Sequence, residues 1–270
     1  MKVDSGGVQL DVQIEGAGKP VVLLHGFPDS KRLWARQVPA LVDAGFQVIV
    51  PDQRGYGASD KPAEVDAYAI PFLAIDVTAI LDALSIERAH VVGHDWGAAV
   101  AWATASFAPE RVDHLVALSV GHPSSFGSVG MTQREKSWYM LLFQFTGVAE
   151  QWLSADGWAG MREWSKHPDV DAVVADLERD GSLTTGLNWY RANITPEAFV
   201  GAPMELPPIQ ASAMGVWSSG DFALTEAQMT GSAKFCTNGF RYERIDGPGH
   251  WMQIETPDKV NALLLDFLPT

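Results

Sequence analysis

Asp95 stands in the run Val91-Val92-Gly93-His94-Asp95-Trp96-Gly97, and the small residues Ala98-Ala99-Val100-Ala101 follow it. The apolar residues read as the end of a buried strand, the two glycines as a sharp turn, and the alanines as a helix. Gly-x-nucleophile-x-Gly is the frame of a nucleophile elbow, which holds one side chain out at a strand-to-helix turn. Serine in that place would serve ester hydrolysis. A carboxylate instead suits attack on a saturated carbon and is left as a covalent ester, so the residue type points to opening an epoxide or displacing a halide. Alone, an aspartate here also fits a helix N-cap; the other residues weigh against that reading.

His250 lies in Gly247-Pro248-Gly249-His250-Trp251, on a loop between the last predicted strand and the final helix. In its neutral form it is the candidate general base for water. Asp221, in Trp217-Ser218-Ser219-Gly220-Asp221, follows a buried strand and is the candidate acid that orients His250. The chain order nucleophile, acid, histidine is the order this architecture uses. The turn His25-Gly26-Phe27-Pro28 follows another strand, Val21–Leu24. Its Phe27 N–H, paired with the N–H of Trp96, would form an oxyanion hole for hydrolysis of the ester. Phe27, Trp96, Phe126, Trp251 and Met252 are candidate substrate-pocket residues.

Elements of α/β type must position these residues. Val8–Ile14 alternates as an edge strand would, and Val21–Leu24, Gln47–Val50, His90–Gly93, Leu115–Val120 and Met214–Ser218 read as buried strands, with Phe240–Ile245 a further one. Helical patterns cover Lys31–Asp43, Ile70–Leu84, Gly97–Phe107 and Pro257–Phe267. The alternation predicts a mostly parallel sheet with helices on both faces. It breaks between about His122 and Pro208, where helical segments appear around Gln133–Phe145, Val148–Leu153, Asp169–Glu178 and Gly186–Asn193. Pro123 opens that region and Pro203, Pro207 and Pro208 close it. The expected organisation is a core of residues 1–121 and 209–270, with residues 122–208 inserted as a helical cap. A lid over the strand ends would exclude water and shape an apolar pocket.

The run Asp52-Gln53-Arg54-Gly55-Tyr56-Gly57 lacks the Lys-Ser/Thr ending of a phosphate loop and reads as a structural ion pair with tight turns. A formal charge of −14 argues against nucleic acid and anionic membranes as partners. The single cysteine, Cys236, excludes an intrachain disulfide. No apolar run approaches a membrane span and the N-terminus lacks a signal-peptide core, so a cytoplasmic protein is expected. His90 and His94 would lie about 13 Å apart on a strand, too far for one ion, and neither a metal nor an organic cofactor is expected.

These residues resemble the α/β-hydrolase superfamily, and within it the epoxide hydrolases. His25-Gly26-Phe27-Pro28 is similar to the family's HGxP motif, and Gly93-His94-Asp95-Trp96-Gly97 to its aspartate-bearing elbow. Two cap segments, Trp138-Tyr139-Met140-Leu141-Leu142 and Gly186-Leu187-Asn188-Trp189-Tyr190-Arg191, look like the family's two cap-tyrosine segments. The resemblance implies that Tyr139 and Tyr190 hold and protonate the epoxide oxygen while Asp95 attacks an epoxide carbon. His250, oriented by Asp221, then activates water to hydrolyse the ester, and a vicinal diol leaves. The implied partners are a small apolar epoxide and water. A haloalkane or haloacid dehalogenase would use the same Asp95 and His250, but Phe27 stands where haloalkane dehalogenases commonly have Asn, and Trp96 where fluoroacetate dehalogenases commonly have Arg. A hydrolase-like receptor without turnover is the alternative of another class; the full set of candidate groups speaks against it.

Overall fold

The computed structural model describes residues 1–201 and 205–270. Pro203, expected to help close the inserted region, lies outside the described residues. Eight strands form one sheet: β1 (Lys2–Ser5), β2 (Val8–Gly16), β3 (Lys19–Leu24), β4 (Phe46–Asp52), β5 (Ala89–His94), β6 (Val112–Leu118), β7 (Ser212–Ser218) and β8 (Phe240–Ile245). Their order across the sheet is β1-β2-β4-β3-β5-β6-β7-β8. The β1–β2 and β2–β4 pairs are antiparallel and the rest parallel. The edge expected at Val8–Ile14 is therefore the second strand. The true edge, β1, is four residues of alternating charge and hydrophobicity before a Gly6-Gly7 turn, too short to carry a readable period.

The central strands are buried on both faces because helices cover both. Along them, alternate side chains enter two separate cores, as a period of two requires. Val22, Leu24, Val91, Leu115 and Ala117 face one core, and Val21, Leu23, Val92, Val116 and Leu118 the other. The helices α1 (Gln37–Asp43), α2 (Ile70–Ala83) and α3 (Trp96–Phe107) follow β3, β4 and β5 in chain order. α2 and α3 close the first core through Leu73, Val77, Ile80 and Val100; α1 closes the second through Val38 and Leu41. The helix expected over Lys31–Asp43 is in fact a short 3₁₀ turn, Lys31–Trp34, followed by α1.

After β6 the chain leaves the sheet and returns at β7. Between them lie α4 (Pro123–Phe126), α5 (Met131–Lys136), α6 (Trp138–Leu142), α7 (Val148–Ser165), α8 (Val170–Asp180), α9 (Leu183–Asn193) and α10 (Pro196–Val200). The single helix expected over Gln133–Phe145 is two, broken at Ser137. α7 is interrupted too: Ala155 is extended, and Asp156, Gly157 and Trp158 all take left-handed backbone, with φ of 52°, 68° and 66°. Left-handed tryptophan is costly. Its indole N–H donates to Glu178 of α8 at 2.7 Å, which ties the break to its neighbour. The tail adds α11 (Glu226–Thr230), α12 (Met252–Glu255) and α13 (Pro257–Phe267), the last completing the second core through Val260 and Leu264. Among the described residues no helix is long and apolar enough to cross a membrane.

Candidate active site

β5 lies at the centre of the sheet, and its C-terminal end delivers Asp95. The residue holds φ 54°, ψ −123°, a conformation that non-glycine residues rarely adopt. The flanking glycines explain how the turn is closed. A Cβ on Gly93 would lie 2.2 Å from the Gly97 carbonyl oxygen, and one on Gly97 would lie 2.1 Å from the Leu24 carbonyl oxygen. Only with both absent can α3 start so close to β3 and β5. Asp95 occupies the N-cap position of α3 but makes no side-chain cap bond. Its carboxylate turns away from the helix: Oδ1 accepts the Phe27 N–H at 2.9 Å, and Oδ2 lies 3.6 Å from His250 Nε2. That geometry removes the N-cap reading.

The turn after β3 supplies the Phe27 N–H, and the Phe27–Pro28 peptide bond within it is cis. A Cβ at Gly26 would lie 2.3 Å from Asp95 Oδ1 and 2.7 Å from the Trp96 nitrogen. Glycine thus keeps open the space bordered by the Phe27 and Trp96 amides.

His250 is fixed on both sides. Its Nδ1 is 2.9 Å from Asp221 Oδ2, and Asp221 Oδ1 accepts the Ala223 and Leu224 N–H groups, each at 2.9 Å. The His250 carbonyl accepts from His94 Nε2 at 3.0 Å and from the Ser119 hydroxyl at 3.1 Å. Burial by itself works against charge on this imidazole, but the Asp221 carboxylate, its hydrogen bond and then Asp95 outweigh it and push the pKa up to about 10. The same pairing, helped by the two amides, holds Asp221 below the ordinary carboxylate range despite its burial. At neutral pH this favours a proton on His250 between two carboxylates, so the neutral form that would serve as base has to be reached during the reaction. His94, buried beside it with ring centroids 4.7 Å apart, goes the other way: burial and then the His250 charge lower it to about 4.

Tyr139 and Tyr190 are buried, with ring centroids 6.1 Å apart. Burial, followed by the negative charge of Asp95, raises both phenols well above their ordinary value. The Trp96 side chain beside Tyr190 opposes that rise. Trp96 and Tyr190 pack edge to face at 5.1 Å. One cavity of about 410 Å³ opens onto Asp95, Trp96 and Tyr190, and is walled largely by apolar groups, Phe126, Met140, Ile194, Phe199 and Leu224 among them. Of the five residues expected in the pocket, Trp96 and Phe126 line it. Phe27 does not; its ring is wedged among Phe143, Trp164 and Tyr190. Trp251 and Met252 lie in the second core and are not part of this lining. Following a site residue in sequence does not point a side chain the same way, and here α12 begins at once and carries both into the interior.

A sequence model of the α/β hydrolase fold matches residues 19–257. The chain is 35% identical to epoxide hydrolase A of Mycobacterium tuberculosis, covering 98% of this chain and 96% of that one. It is also 35% identical, over 98% of its own length and 96% of the relative's, to an AB hydrolase superfamily protein of Bacillus subtilis. A Bacillus megaterium epoxide hydrolase solved with an inhibitor superposes with a TM-score of 0.90 at 27% identity, covering 99% of both chains. The chain belongs to the α/β-hydrolase fold family, in its epoxide hydrolase branch.

Beside the site of this epoxide hydrolase family member lies a further buried carboxylate, Asp29. Asp29 accepts from His167 Nε2 at 3.1 Å through Oδ1 and from the Trp251 indole at 2.9 Å through Oδ2. His167 Nδ1 in turn accepts the Asp169 N–H at 2.9 Å, which leaves Nε2 to face Asp29. Nothing in the sequence signals this contact, which joins residues 138 apart. The ion pair expected near Asp52 and Arg54 exists with other partners: Arg54 pairs with Asp76 in two hydrogen bonds and Asp52 with Lys31.

Proposed function

We propose that the chain hydrolyses an epoxide to a vicinal diol through an ester on Asp95. The observation that carries this reading is the pairing of two groups in one apolar cavity: a carboxylate already held by an amide and an imidazolium, and a phenol, Tyr190, whose ring packs edge to face on Trp96. An epoxide oxygen becomes an alkoxide as the ring opens and needs a proton donor in such surroundings; a departing halide does not. A Bacillus megaterium epoxide hydrolase variant solved with its product, a naphthyloxy-propanediol, supports a diol product for this family.

In the first step Asp95 attacks an epoxide carbon and a phenol, Tyr190 or Tyr139, gives its proton to the oxygen. Esterification removes the Asp95 charge, one of the two that hold the proton on His250. The phenolate and the imidazolium are then oppositely charged, and moving the proton between them restores the phenol and leaves His250 neutral. Neutral His250, still oriented by Asp221, takes a proton from water, whose oxygen attacks the Asp95 acyl carbon while the Phe27 and Trp96 amides stabilise the oxyanion. The helical insert, residues 122–208, acts as the lid that brings the phenols to this site. Within this reading the remaining pocket positions belong to the lining of the cavity and not to Phe27, Trp251 or Met252.

Incubating the protein with terminal, aryl and trans-disubstituted epoxides should yield diol, and Asp95→Ala should yield none while remaining folded. His250→Gln should form the ester and stall, leaving an adduct of substrate mass on the Asp95 peptide. Diol from Asp95→Ala, or substrate consumed by His250→Gln with no adduct, would contradict the mechanism.

A further inference from the structure

The cavity that opens onto Asp95 has one cationic residue in its lining among the described residues, Arg134 of α5. The other polar side chains there are already committed. Gln133 gives its amide to Ser137 and Ala223 and receives Thr225. Asn193 bonds Tyr68, Trp189 and the Ile70 amide. Asp95 and Tyr190 belong to the reaction proposed above. Nearby Lys136 is spent on the Asp221 and Phe222 carbonyls. Arg134, half-buried, has no side-chain hydrogen bond, ion pair or ring contact among the described residues. Most other arginines in this chain pair with acids, as expected where 33 acidic residues face 19 basic ones. An unpaired guanidinium on an apolar cavity is therefore not the by-product of a basic surface.

We propose, resting on the epoxide reading of the same cavity, that Arg134 binds a carboxylate carried by the substrate, so that the preferred substrate is an apolar epoxide with an anionic end. A planar guanidinium matches a carboxylate in a two-pronged hydrogen bond, and it gains strength where apolar walls exclude water. One guanidinium balances one negative charge, which fits a carboxylate and leaves a phosphate monoester underneutralised. Like charges repel, so the carboxylate sits at the end of the molecule away from Asp95. The apolar walls between take the hydrocarbon that joins the two groups.

The test compares a terminal epoxide carrying a carboxylate at the other end of an alkyl chain with its methyl ester. The wild-type protein should favour the acid by about tenfold or more in kcat/KM, the size of one charge-assisted contact. Arg134→Gln should erase that ratio through KM for the acid, and Arg134→Lys should restore part of it. In parallel, decanoate should quench tryptophan fluorescence at concentrations at least about tenfold lower than decanol does, and Arg134→Gln should remove the difference. Equal treatment of acid and ester together with equal binding of decanoate and decanol would overturn the assignment. Decanoate binding that depends on Arg134, with no diol from any epoxide, would instead reject the reaction and keep the carboxylate site.

Discussion

At the scale of single residues, the protonation of His250 governs what the site can do. Two carboxylates hold its proton in the resting protein, at a pKa of about 10, against about 6.5 in an unfolded chain. A raised folded pKa contributes stability that is fully present below about pH 6.5 and disappears as pH climbs toward 10. The urea midpoint should therefore fall between pH 7 and pH 10, and His250→Gln should lose most of that slope. An unchanged slope in the variant would mean that other groups set it. The catalytic consequence has its own reading. Only the esterified enzyme has a single carboxylate beside His250, so the imidazole gives up its proton more readily there than in the resting state. Quenched reactions should show a larger fraction of Asp95 ester as pH is lowered from 9 to 6, because the base for the second step is then increasingly protonated. An ester fraction independent of pH would remove His250 from that step.

At the scale of elements, the site is made by the segments that follow β3, β5, β7 and β8, and glycines decide how close the first two come. Gly26 is the most exacting of these for chemistry, because a Cβ there would meet Asp95 Oδ1 at 2.3 Å and the Trp96 nitrogen at 2.7 Å. Gly26→Ala should cost about a hundredfold or more in turnover, the size of a lost oxyanion donor, with a smaller drop in unfolding temperature than Gly97→Ala, whose Cβ would strike the Leu24 backbone. Comparable damage from both to stability would show that Gly26 serves packing rather than the site. The elbow, the strands β3 to β8 and the helix α13 were legible in the sequence because each couples a clear period to a turn signal. Phe240–Ile245 and Pro257–Phe267 match the structure residue for residue. Between β6 and β7, α5, α6, α8, α9 and the start of α7 were legible as helical, whereas α4, α10 and the breaks were not. Ser137 interrupts a stretch that reads as one helix, whereas the helical pattern of α7 is readable only to Leu153, just before the left-handed Asp156-Gly157-Trp158 that the Trp158–Glu178 bond ties to α8. Likewise the type and order of Asp95, Asp221 and His250 could be read, whereas the lining of the cavity could not. It draws Ile70, Met140, Ile194 and Leu224 from elements far apart in the chain, and no local pattern records which of their side chains converge.

At the scale of the whole molecule, the insert is seated on the loops at the strand ends by contacts that close 123 to 138 residues of chain. Thr185 donates to the Gly55 carbonyl, the Trp189 indole to the Arg54 carbonyl, and Asn193 accepts the Ile70 N–H. The Asp29–His167 contact differs from these because it buries a charge. Burial opposes that charge, yet His167 first and then the neighbouring donors hold the Asp29 carboxyl below its ordinary range. Trp251, which shares Asp29, packs against both His167 and His250, with ring centroids at 4.4 Å and 4.8 Å. The seat of the insert and the backing of the base therefore share one carboxylate. Removing His167 leaves Asp29 buried with a single donor, at a cost of about 1–3 kcal/mol or more. His167→Ala and Asp29→Asn should each lower the stability to denaturant, and the double variant should lose about 1 kcal/mol less than the sum of the two, since the second change removes a group the first has already stranded. Strict additivity would show that the pair makes no joint contribution. A coupling of the expected size, accompanied by weaker turnover in His167→Ala than in a variant of an exposed insert residue such as Glu163→Gln, would tie the seating of the insert to the positioning of His250.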